Sequence, residues 1–216
     1  MTDKDEDLPL EFKLRLSAAK LLVSGARVAG SRLALANALK GLGDIERRLP
    51  QLRDDANRTY SEAAKLYLEI QMPLEAAWVL RHIGINQEYA ERITEAEKYY
   101  DESLALFRTP ATEDDGNYAN TVRYPAVIKN RVGKREESTA LWEEAIRRYE
   151  EMNQPLGVAE GAAWLAIFAH EEGDFTLARQ WLEKAESSSK AAADIDTDKW
   201  VNEARTKIFG KAVREE

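Results

Sequence analysis

Apolar residues recur at helical spacing along most of the chain, and the clearest stretch lies near its C-terminal end. Leu165, Ala166 and Ala169 share one face of a segment running from Ala162 to Glu172. Gly173-Asp174-Phe175 interrupts it, with Gly suited to a left-handed helix cap. Ala178, Leu182 and Ala185 then follow at spacings of four and three, the mark of a second helix. Small residues at Ala166 and Ala178 predict close approach of the two helices, with Leu165 and Leu182 filling the layer between them.

The same device occurs three times upstream. An apolar or proline residue followed by a small one appears as Leu42-Gly43, Ile83-Gly84, Pro125-Ala126 and Leu165-Ala166, at intervals of 41, 42 and 40 residues. Second-helix positions follow each pair: Ala56, Tyr60 and Ala63; Ala96, Tyr100 and Ser103; then Trp142 and Ala145 after Gly133. Gln71-Met72-Pro73-Leu74 and Asn153-Gln154-Pro155-Leu156 occupy corresponding inter-unit turns, each placing Pro where a new helix begins. A fixed period in this range predicts a stacked array of helix–turn–helix units.

This pattern resembles the tetratricopeptide repeat (TPR), in its extended form as in kinesin light chains and many bacterial regulators. The resemblance covers roughly residues 36–192, and the period near 41 exceeds the usual 34 or so. It implies an all-α, right-handed superhelix of about four repeats: 36–72, 73–112, 116–154 and 155–192. Residues 1–35 and 193–216 are expected to cap the array, through Leu14, Ala18, Leu21 and Leu22 at one end and Trp200, Ala204 and Ile208 at the other. Two departures stand out. Pro125 falls inside a first helix, which is expected to bend or to start later than its siblings. Residues 108–117, with Pro110, Asp114, Asp115 and Gly116, form the longest expected loop.

Composition narrows the function. The 216 residues include no Cys, which removes disulfides, thiolate catalysis and thiolate-held metals. Net charge is −8, so bulk attraction to nucleic acid or anionic lipid is not expected. The apolar stretch from Leu16 to Gly30 follows Thr-Asp-Lys-Asp-Glu-Asp, whereas a secretory signal wants positive charge there, and a cytoplasmic protein is expected. His82 and His170 are the only histidines, and no phosphate loop, nucleophile elbow or His-Glu-x-x-His is present. No enzyme, no cofactor and no metal site is therefore expected. Tyr99-Tyr100 and the five Trp residues read as packing.

The resemblance implies that the first helices line a concave groove. Reading them in register places Asn37, Lys40, Arg47, Trp78, Arg81, Tyr89, Asn120, Arg123, Asn130 and Arg131 on it, together with Arg48. The second helices carry acid instead: Glu95, Glu97, Asp101 and Glu102 in one, Glu136, Glu137, Glu143 and Glu144 in the next. A basic groove on an acidic protein predicts a non-catalytic scaffold for a protein or peptide partner with an acidic or carboxylate-bearing segment. Arg81 and Arg123 are its expected anchors, reversible in charge without loss of fold. A regulatory sensor of peptide or metabolite is the alternative, and so is a self-associating subunit, which leaves a homodimer open.

Overall fold

The computed structural model describes residues 8–108, 117–192 and 195–210. Its helices gather in two compact units, residues 1–113 and 114–216. The first holds α1 (Leu10–Ala29), α2 (Arg32–Glu46), α3 (Arg53–Glu69), α4 (Pro73–Tyr89) and α5 (Ile93–Phe107), with a 3-10 turn at Pro50–Leu52. The second holds α6 (Tyr118–Arg131), α7 (Arg135–Glu151), α8 (Pro155–Glu171), α9 (Phe175–Ala192) and α10 (Ile195–Phe209). No strand occurs among the described residues. The loop expected over residues 108–117 lies mostly outside them.

Consecutive helices pair as hairpins, α2 with α3 and α4 with α5 in the first unit, α6 with α7 and α8 with α9 in the second. The small residue of each apolar–small pair explains how close they come. A Cβ on Gly43 would lie 2.6 Å from the Tyr60 ring, and one on Gly84 would lie 2.6 Å from the Tyr100 ring. Glycine thus leaves a seat that the aromatic of the second helix fills, and both rings are buried. An aromatic side chain so placed gains roughly 2–3 kcal/mol of transfer free energy. Neighbouring hairpins of the second unit use the same device, for Gly157 faces the Tyr149 ring and Gly161 faces Ile146.

The turns share one geometry. At five helix ends among the described residues, an amide reaches back five residues to a carbonyl: Met72 to Tyr67 (2.8 Å), Arg92 to Gln87 (2.9 Å), Lys134 to Lys129 (2.8 Å), Gln154 to Tyr149 (2.8 Å) and Asp174 to Ala169 (2.9 Å). The residue before each amide is left-handed: Gln71 (φ 59°), Glu91 (φ 55°), Gly133 (φ 79°), Asn153 (φ 52°) and Gly173 (φ 85°). These are Schellman caps, which satisfy the orphan carbonyls of one helix while turning the chain into the next. Pro73 and Pro155 open α4 and α8 at the first helical position.

Pro125 does not end α6, which runs through it. The helix does start late, eight residues before Ala126, whereas α4 and α8 start eleven before Gly84 and Ala166. The helical ends differ. Helix α10 buries Val201 and Ala204, while α1 buries Leu16, Ala19 and Val23 but leaves Leu10, Leu14, Leu21, Leu22 and Val28 exposed.

Candidate functional site

First helices supply the candidate surface, and one contact rule governs it in both units. The residue three positions before the small one meets, on the next first helix, the residue six positions before its own small one. In the first unit this brings Lys40 of α2 over Trp78 of α4, with Nζ 4.2 Å from the ring centre. In the second it brings Arg123 of α6 onto Glu160 of α8, Nε to Oε2 at 2.5 Å and Nη2 to Oε1 at 2.9 Å.

The first unit's cluster centres on His82, which the sequence left in the background. Its ring lies 4.0 Å from that of Trp78 and stacks near Tyr60 at 6.0 Å. Burial first, then the positive charges of Arg47, Arg81 and Lys40, push the imidazole down to about 3. His82 is therefore neutral at ordinary pH, and its Nδ1 has no hydrogen-bond partner among the described residues. Three cations lie near His82, and Asp44 is an acid beside them: it accepts from the Tyr60 hydroxyl at 2.6 Å and lies 3.8 Å from Arg47 Nε. Arg81 is buried, Lys40 and Arg47 are half-buried, and Arg48 is exposed. Asn37 is exposed and accepts from Tyr67 Oη at 2.7 Å. Tyr89, 67% exposed, lies under the Arg53 guanidinium at 4.7 Å.

In the second unit, Asn120 and Arg123 line a cleft of about 490 Å³. Gln154, Gly157, Glu160 and the α10 residue Trp200 complete its walls. Asn120 Oδ1 accepts from Tyr149 Oη at 3.0 Å, which leaves its amide NH2 group for other contacts. Arg123 is not the open anchor expected from the sequence, because the buried Glu160 carboxylate holds it through two hydrogen bonds. Charge reversal there would set two carboxylates together in a half-buried site, so the expected indifference of the fold is withdrawn. Asn130 and Arg131 fall on the last turn of α6, away from the cleft lining.

A cleft lined by a carboxamide, an indole and an Arg–Glu pair can hold an extended backbone; nothing among its lining residues assembles a nucleophile with a base. Among the described residues, no group of three or more His, Asp or Glu is placed to hold a metal ion. No helix there is long and apolar enough to cross a membrane.

No protein-family model matches the chain, and no curated protein is significantly similar to it in sequence. Solved structures do share its fold. BtubC (BKLC) from P. vanneervenii superposes over 93% of this chain and 86% of its own, with a TM-score of 0.72 and 16% identity. Aspartyl phosphate phosphatase F from Bacillus subtilis gives a TM-score of 0.72 at 14% identity, over 93% of this chain and 53% of its own. The Rap conjugation gene regulator of plasmid pLS20, in complex with the Phr* peptide, gives 0.62 at 16% identity, over 99% and 63%. A Podosopora anserina protein of the kinesin-light-chain type, with nearly identical TPR-like repeats, gives 0.53 at 10% identity, over 90% and 100%. This chain therefore spans only half to two thirds of the phosphatase and the regulator. At these identities the likeness is one of fold: an all-α, TPR-like helical repeat.

Proposed function

We propose that this protein is a non-catalytic scaffold whose first-helix faces bind an acidic or carboxylate-bearing segment of a protein or peptide partner. The observation that carries the reading is Lys40 over the Trp78 ring, beside a His82 imidazole that also feels the positive charges of Arg47 and Arg81. Guanidinium and ammonium groups set beside aromatic faces suit a carboxylate next to an apolar side chain. Asn120 in the second unit adds a carboxamide suited to peptide backbone. A regulator of the same fold in complex with a peptide supports the class of ligand, though not its charge.

The test is capture from native lysate with wild-type protein and with the Lys40→Glu/Arg47→Glu variant, both sites being half-buried at most. Wild type should retain a partner that the variant loses at unchanged helicity. Equal capture by both would count against the basic face. The cleft of the second unit favours the sensing alternative, since its volume is in the range of small-ligand sites. A ligand of that kind should change small-angle scattering when added to the whole chain.

A further inference from the structure

Helix α1 has two apolar faces on opposite sides. One, with Leu16, Ala19 and Val23, is buried within its own unit. The other presents Leu10, Leu14, Leu21 and Val28 to solvent at 71, 62, 74 and 90% exposure, with Leu22 beside them at 67%. A run of exposed large apolar side chains along one helix face marks a surface made for contact. Ala18 and Gly25 share that face, and the space around Gly25 is empty.

We propose that this face pairs with the same face of a second copy, the two α1 helices lying antiparallel about a two-fold axis at their midpoint. A two-fold interface demands that residue i meet j while j meets i. Antiparallel overlap of Leu10–Ala29 along its whole length brings together residues whose numbers add to 39. Leu14 then faces Gly25, Leu21 faces Ala18 and Leu10 faces Ala29, each leucine opposite a small residue, while Leu22 faces Ser17 and Val28 faces Glu11. Such alternation lets two helices interlock closely. Ser17 and Ser24 border the stripe on one edge, and Lys13 and Lys20 lie further round, so like charges are not forced together. The exposed side chains offer at most roughly 500–600 Å² per copy, which places the dimer among weak, concentration-dependent associations. A partner helix of another protein would need no such large-to-small symmetry. This pairing is independent of the peptide-binding reading.

The chain has no cysteine, so introduced thiols report the geometry cleanly. The full chain is studied by sedimentation equilibrium and by oxidation of two variants, Leu14→Cys/Gly25→Cys and Leu10→Cys alone. The expected result is a concentration-dependent dimer that the exposed-site variant Leu14→Lys/Leu21→Lys weakens at least tenfold, at unchanged helicity. The double-cysteine variant should cross-link into dimers, and Leu10→Cys should not, since its two copies would sit at opposite ends of the pair. Three results overturn the proposal: a monomer at all concentrations, a dimer indifferent to the lysines, or efficient cross-linking through position 10 alone.

Discussion

The Tyr149 hydroxyl donates to Asn120 Oδ1 at 3.0 Å, tying the end of α7 to the start of α6. Two repeats earlier, Tyr67 donates to Asn37 Oδ1 at 2.7 Å in the same way. In the repeat between them the two positions hold Phe107 and Trp78, so hydroxyl and acceptor disappear together. A double-mutant cycle with Tyr67→Phe and Asn37→Ala should give a coupling of about 1 kcal/mol by denaturant unfolding. The converse change, Phe107→Tyr, buries a hydroxyl opposite no matching acceptor at position 78 and should destabilise by about 1–3 kcal/mol.

The glycines of the apolar–small pairs should not tolerate a methyl group. Gly84→Ala drives a Cβ against the Tyr100 ring and is expected to cost about 1–3 kcal/mol. Gly41→Ala, on the same α2 helix as Gly43 but with nothing within 4 Å, should instead stabilise by about 0.5–1 kcal/mol. Thermal unfolding of the two variants beside wild type reads both signs.

Three Schellman caps carry a side chain where glycine fits best. Gln71→Gly and Glu91→Gly should each raise stability by about 1 kcal/mol, because left-handed backbone is strained for residues with a Cβ. Gly173→Ala should lower it by a similar amount. If both glycine variants lowered the melting temperature, the cap geometry would be wrong.

His82 gives the fold an acid-sensitive element. Its folded-state pKa, pushed down to about 3, lies below the unfolded value of 6.5, so the unfolded chain binds the proton first. The stability that neutral His82 contributes is present above pH 6.5 and is lost as pH falls toward 3. Within that window the slope should be about 1 kcal/mol per pH unit. Glu46, raised mainly by burial, acts in the opposite sense. The difference between wild type and His82→Gln, in urea unfolding from pH 7 to pH 4, isolates the histidine.

Much of the fold was legible because the helix contacts repeat. Leu42-Gly43 and Ile83-Gly84 announce aromatic seats, and Tyr60 and Tyr100 stand at the spacing that fills them. Gln71 and Glu91 were not legible as left-handed turns, since the backbone hydrogen bonds that close one helix before the next begins set their conformation against their side-chain preference. The site was half legible. Register placed Lys40, Trp78, Asn120 and Arg123 on first helices, but it treated each helix alone. The Arg123–Glu160 pair joins positions 37 residues apart on successive helices and needs the stacking offset as well as the period. His82 was missed for a simpler reason: a lone histidine on an apolar face gives no sign of the cations around it.

The most direct test of the central claim is a fluorescence-anisotropy titration of the whole chain with labelled extended peptides, one pool rich in Glu and Asp and one with Lys in their place. Binding of the acidic pool alone is expected, weakening as salt rises and falling at least tenfold in Lys40→Glu/Arg47→Glu. Equal binding of both pools, or acidic binding untouched by those two reversals, would contradict the account.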